Sequence, residues 1–250
     1  MAYHELPKYA ECRQKELEPM LAPYIKSTDQ YGNILSELCL LLGTIEPLSM
    51  QDIVVRDLMS DVFDFLYESR VFIIKGKTDI AYPLIRRAYE SLSLLHICAL
   101  DKEIAQKWED GKEIKNHTVR KALGSNKFGE DEASLRELYK FFSEVSHPNR
   151  DSIPYRGLGQ GNKFVFGSVA SPALVSLADY CIKHLELWMW FAPVIFYFYK
   201  EKLHSRDPLL FDRYNKVRND SKTIIKWLIQ QYNHVLEEYK AMPNFVPTSI

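Results

Sequence analysis

Apolar residues recur at spacings of three and four along most of this chain, and that spacing marks one face of an α-helix. In the clearest case, residues 50–75, the apolar positions are Val55, Leu58, Met59, Val62 and Leu66, and Gly76 ends the pattern. The same spacing predicts helices over 5–21, 29–43, 79–100, 102–110, 112–123 and 130–147, a helical region over 171–203, and a last helix over 208–242. We therefore predict an all-α protein, a bundle of about seven to nine helices.

One stretch departs from the helical pattern. Residues 149–169 contain four of the chain's ten glycines and a short apolar run at 164–166. They predict one long glycine-rich loop, ordered or folded into a small hairpin. Because no repeat or long linker divides the chain, we predict a single helical domain over 1–250, with N-terminal helices in 1–45, a core in 48–205 and a C-terminal helix in 207–242.

The most apolar segment, residues 187–199, is apolar around its whole circumference and rich in aromatic residues. At thirteen residues it is shorter than the roughly 20 residues of a membrane-spanning helix. A helix that is apolar all round is enclosed by protein. We expect that one chain cannot cover all of Trp188, Trp190, Phe191, Phe196 and Phe198, and we therefore predict a homodimer through the helix from Trp188 to Tyr199.

Charge, cysteine content and the N-terminal residues indicate which partners and which cellular compartment to expect. The net charge is −1, so no overall electrostatic field attracts nucleic acid or an anionic membrane, and a nucleic-acid partner has no support from net charge. The four cysteines form no C-x-x-C pair, which is typical of reduced thiols. The N-terminal residues carry no apolar run of the kind found in secretory signals. These features predict a cytoplasmic protein.

Three patterns resemble sets of metal ligands: two are incomplete, and the third is a stripe of carboxylates that could hold Mg²⁺ in a helical pyrophosphohydrolase. Cys181 and His184 lack a second pair of ligands. Glu144 and His147 match one half of a di-iron motif, which needs a second copy and two more carboxylates. An acidic stripe faces away from the apolar side of its helix, as a solvated face does, and consists of Asp57, Asp61, Asp64 and Glu68. We predict no metal and no cofactor.

Two segments combine polar side chains with apolar helices. In the first, Arg86 and Glu90 are four residues apart, so they share a helix face and can pair. The pair is either an exposed ion pair that adds little stability or a partly buried ion pair with a functional or structural role. The residues leave both interpretations open.

In the second segment, Ser143 and His147 are four residues apart at the end of a helix that Pro148 terminates. His147 is either a C-terminal cap or a proton donor and anion contact beside the glycine-rich loop. Arg150 and Tyr155 follow closely in that loop. The candidate catalytic residues are therefore His147, Ser143 and Glu90, and the candidate substrate-binding residues are Arg86, Arg150 and Tyr155.

The L-I-R-x-x-x-E run at 84–90 and the Y-K-x-F-S-x-x-S-H-P run at 139–148 resemble a widespread bacterial all-helical family of unknown function. The resemblance covers about residues 50–200, and the matching positions are Arg86, Glu90, Tyr139, Ser143 and His147. That family is distantly similar to the HEPN ribonucleases, whose motif is R-x4-6-H. None of the seven histidines here has an arginine five to seven residues before it, so the resemblance does not extend to ribonuclease chemistry.

Two functions follow as expectations. The first is a helical module of a bacterial defence or stress system that acts through a protein or nucleic-acid partner. The second is an enzyme that acts on a nucleotide or phosphorylated substrate, with Arg86 holding the anion and His147 as general acid or base. Dry packing of Arg86 against Glu90 favours the module, whereas an open pocket that contains both Arg86 and His147 favours the enzyme.

Overall fold

The computed structural model describes residues 5–44, 48–125, 131–146, 174–204 and 207–240. Every regular element within these ranges is a helix, which confirms the predicted all-α bundle. The helices are α1 (Leu6–Leu42), α2 (Met50–Ile74), α3 (Thr78–Leu100), α4 (Lys102–Glu109), α5 (Asn116–Gly124), α6 (Glu132–Ser146), α7 (Leu174–Phe198), α8 (Lys200–His204) and α9 (Leu210–Lys240). The predicted glycine-rich loop, 149–169, lies outside the described residues.

An antiparallel pair of helices, α2 and α3, lies at the centre. The first begins with a capping box: the Ser49 hydroxyl accepts a hydrogen bond from the Asp52 backbone N–H, and the Ser49 N–H donates to the Asp52 carboxylate at 2.9 Å. Gly76 ends α2 with a φ of 72°, a left-handed conformation that favours glycine. The Ser91 hydroxyl of α3 then donates a hydrogen bond to Asp61 of α2.

The first helix corrects one prediction. We predicted two helices, 5–21 and 29–43, separated near Pro23, but α1 is continuous and contains Pro19 and Pro23. Each proline lacks the N–H that would bond to the carbonyl four residues earlier, which disfavours a helix interior. The buried apolar face of α1 nevertheless continues past the prolines, because Leu21, Tyr24 and Tyr31 are all buried. Burial against α7 and α9 outweighs the lost hydrogen bonds.

The aromatic helix α7 lies against α1, α3 and α9. Trp188, Phe191 and Phe196 are buried within this one chain, whereas Trp190 and Phe198 are only partly buried. Within the described part of the chain, three of the five side chains are therefore covered and two are covered only in part. The homodimer itself stays a prediction.

None of the helices in the described ranges is both long enough and apolar enough to cross a membrane.

Helices α5 and α6 meet at a close contact that directs α6 back across α3. A side chain in place of Gly124 would put its Cβ 2.5 Å from the Cβ of Glu132, so only glycine fits there. The approach brings Leu123 and Leu135 into the common core. It also brings α5 and α6 to the side of α3 that carries Arg86.

Candidate functional site

The two signature helices, α3 and α6, pack directly against each other. The Tyr89 hydroxyl of α3 donates a hydrogen bond of 2.7 Å to the Leu135 carbonyl of α6. The ring of Tyr89 also lies 5.6 Å from that of Phe142, centroid to centroid, and both side chains are buried. Burial raises the pKa of Tyr89 to about 12, so its hydroxyl stays protonated and can donate. These contacts hold the polar face of α3 beside α6.

Arg86 and Glu90 form the predicted ion pair, and the pair is mostly buried. The Arg86 Nε donates to Glu90 Oε1 at 3.1 Å, and the side chains are 20% and 17% exposed. Arg86 also donates a long hydrogen bond, 3.4 Å, to the Tyr139 hydroxyl of α6. Arg86 therefore connects Glu90 of the first motif with Tyr139 of the second motif.

A further arginine joins the cluster. The Arg120 guanidinium carbon of α5 lies 4.3 Å from the centroid of the Tyr139 ring, and that of Arg86 lies 5.4 Å from it. Each contact is a cation–π interaction, strongest where the charge is desolvated. The Arg120 Nη1 is buried without a hydrogen-bond partner in the described part of the chain. We call Arg86, Glu90, Arg120 and Tyr139 the tyrosine clamp.

Arg120 is not among the candidate residues that the sequence predicted. The available signal was its position three residues before Leu123, which places it on the buried side of α5. A charged residue on the apolar side of a short helix needs an aromatic or anionic neighbour. Tyr139 is that neighbour here.

Ser143 lies one helical turn after Tyr139 on α6 and is partly exposed. The other three candidate residues, His147, Arg150 and Tyr155, lie outside the described residues. The structure therefore brings Arg86, Glu90 and Tyr139 together and places Ser143 on the same helix as Tyr139. The clamp holds two cations and one carboxylate around an aromatic ring, an arrangement that fixes the positions of three helices.

Members of two of the candidate metal patterns make other interactions, whereas His147 of the third pattern lies outside the described residues. Within the described ranges, no group of three or more His, Cys, Asp and Glu side chains could hold a metal ion. Asp61 of the acidic stripe accepts a hydrogen bond from Ser91. Cys181 is buried in the core, and burial raises its thiol pKa well above the ordinary value.

His184, four helical positions before Trp188, is fully buried and occupies a second polar cluster. Its Nε2–H donates to the Leu66 carbonyl at 2.9 Å, and its Nδ1 accepts from the Tyr24 hydroxyl at 2.8 Å. The imidazole ring stacks on Tyr180 at 5.5 Å. Burial lowers the pKa of His184 from 6.5 to about 3, so the imidazole stays neutral. Both ring nitrogens are occupied, which makes this histidine a core hydrogen-bonding residue.

Comparisons with protein-family models, with curated proteins and with solved structures each found no significant match.

Proposed function

We propose that this chain is a non-catalytic helical binding module. The observation that carries the proposal is the closed pairing of Arg86 with Glu90 under Tyr139. An arginine that holds a substrate anion needs donors that point into open space, and a catalytic carboxylate needs access to a substrate proton. Here the Arg86 Nε is bonded to the Glu90 carboxylate, so each of these two groups has the other as its partner.

A polar cluster of this kind has a structural explanation. Ion pairs shielded from water add little net stability, but the pair fits only one arrangement of the helices. The tyrosine clamp crosses α3, α5 and α6, so a shift of one helix along another would leave a charge without its partner. We therefore assign Arg86 and Glu90 to helix register rather than to chemistry.

The cellular context and the kind of partner that we propose rest on the sequence resemblance. We propose that the module works in the bacterial cytoplasm, as part of a defence or stress system, through a protein or nucleic-acid partner. The resemblance to the bacterial helical family, distantly similar to the HEPN group, supports this context. A homodimer through exposed parts of the aromatic helix belongs to the same proposal, and Tyr197 on that helix is 53% exposed.

Paired substitutions test the assignment of Arg86 and Glu90. Glu90→Leu alone leaves Arg86 without its carboxylate and should lower the free energy of unfolding by about 2 kcal/mol. Adding Arg86→Met removes both charges and should restore most of that loss. The double variant should also cross-link in cells to the same partner as the wild-type protein.

A turnover assay tests the absence of catalysis. Wild-type protein is incubated with nucleotides, RNA and phosphorylated peptides, and products are followed by mass spectrometry. We expect no turnover. Turnover that disappears in Ser143→Ala or His147→Ala at unchanged melting temperature would overturn the proposal in favour of an enzyme acting on a nucleotide or phosphorylated substrate.

A further inference from the structure

A groove runs between the middle of α1 and the C-terminal end of α2. Its volume is about 740 Å³, which falls within the range of roughly 300–1,000 Å³ for small-molecule sites. Its floor is apolar and consists of Ala22 and Ile25 from α1 and Val71 and Ile74 from α2. The groove can therefore accept the apolar body of a small ligand.

The charges at the rim of this groove are not balanced. Arg70 donates to Asp29 across the groove at 2.5 Å, so these two charges neutralise each other. Glu18 accepts a hydrogen bond of 2.6 Å from the neutral Gln14 amide and keeps its negative charge. The three cationic and two anionic side chains that line the groove therefore leave an excess of one positive charge. Lys26 and Lys75 also line the groove, and neither forms an ion pair within the described part of the chain.

The arrangement of charge and apolar surface defines the ligand. An apolar floor beside two unpaired ammonium groups complements a molecule with an apolar body and an anionic head. We infer that the groove binds a small amphipathic anion, with its body over Ile25 and Ile74 and its carboxylate or phosphate head between Lys26 and Lys75. This inference is independent of the proposed function, because the tyrosine clamp is formed by other helices.

The two lysines should not contribute equally. Lys75 directly follows α2, where it also faces the negative end of the helix dipole. Part of its charge is therefore already compensated. Lys26 lies in the middle of α1 and has no such partner. We expect Lys26→Met to reduce ligand affinity more than Lys75→Met.

Four probes test separately whether binding requires the apolar body and whether it requires the anionic head group. Octanoate and octyl phosphate carry an apolar chain and an anionic head, octylammonium reverses the charge, and inorganic phosphate lacks the chain. By isothermal titration calorimetry, the wild-type protein should bind octanoate or octyl phosphate at submillimolar to low-millimolar concentration, and at least roughly tenfold more tightly than the other two. The tighter of the two anions identifies the head group.

Variants localise the binding. Lys26→Met should weaken octanoate binding by roughly tenfold, which corresponds to about 1.4 kcal/mol. Lys102→Met makes the same charge change on an exposed lysine outside the groove, the first residue of α4, and should leave the affinity unchanged. Ala22→Phe should abolish binding by filling the groove. Because Ala22 is exposed, this substitution should not disturb the core.

Three results would overturn the inference. One is the absence of octanoate and octyl phosphate binding to the wild-type protein at low-millimolar concentration. The second is octylammonium binding as tightly as octanoate, which would contradict the charge argument. The third is equal affinity in Lys26→Met, Ala22→Phe and Lys102→Met, which would place the ligand elsewhere on the protein.

Discussion

Acid should destabilise this protein at a higher pH than its carboxylates alone would require, because of His184. In the folded chain the pKa of His184 is about 3, since the ring is buried and bonded at both nitrogens. In the unfolded chain it returns to the ordinary value of 6.5. Below that pH the unfolded state binds a proton that the folded state does not bind, so the free energy of unfolding falls.

The size of the effect follows from the two pKa values. Between about pH 7 and about pH 5 only the unfolded state titrates at this position, and the loss is about 2 kcal/mol. The loss continues down to a pH of about 3, where the folded state begins to bind the proton as well. Above a pH of about 6.5 this histidine makes no pH-dependent contribution.

The assay is urea unfolding followed by circular dichroism at a series of pH values. His184→Gln removes the titrating group, so its free energy of unfolding should change less between pH 7 and pH 5, by about 2 kcal/mol. His117→Gln removes an exposed histidine of α5 and should keep the wild-type pH dependence. An NMR titration of the wild-type imidazole covers the case in which His184→Gln fails to fold.

Two results would refute the reasoning about His184. The first is an identical pH dependence in the wild-type protein and His184→Gln. The second is an imidazole NMR signal of His184 that titrates near pH 6.5 in the folded protein, since that would mean that the ring is open to solvent.

Three further predictions concern stability. Glu90→Ala leaves the mostly buried Arg86 without its carboxylate and should lower the melting temperature by roughly 4–8 °C, as measured by calorimetry. Ser49→Ala removes the capping box of α2 and should reduce the free energy of unfolding by about 1 kcal/mol in urea titrations. Burial raises the pKa of Asp179, so at neutral pH its charge opposes folding. Asp179→Asn keeps an acceptor for the Tyr82 hydroxyl and should raise the melting temperature at neutral pH, with the gain shrinking as the pH falls and the wild-type carboxyl becomes protonated.

A control variant separates the loss of the mostly buried Arg86–Glu90 pair from the loss of an exposed ion pair. Glu132→Ala breaks an ion pair with Arg136 that is 43% and 72% exposed, so it should change the melting temperature little. Equal losses in Glu90→Ala and Glu132→Ala would argue that the Arg86 pair is no more important than a surface pair. An Asp179→Asn protein that is less stable than the wild type at neutral pH would contradict the burial argument.

The sequence determined what depends on neighbouring residues. Spacings of three and four predicted α2, α3, α6 and α9, because a helix face repeats within a single turn. The last helix was predicted over 208–242, and just before α9 the Asp207 Oδ1 accepts hydrogen bonds from the N–H groups of Leu209 and Leu210 at 3.0 and 3.1 Å. Arg86 and Glu90 were predicted to share a face for the same local reason, and they do.

Only the tertiary structure decided what depends on distant contacts. Tyr24 and His184 are 160 positions apart, and nothing in either local pattern indicates that they share a hydrogen bond. Arg120 joins the tyrosine clamp because α5 folds against α6, and α1 passes through two prolines because its stripe is buried on both sides of them. Local sequence sets which face of a helix is apolar, whereas packing against the other helices decides which polar groups on it are buried together.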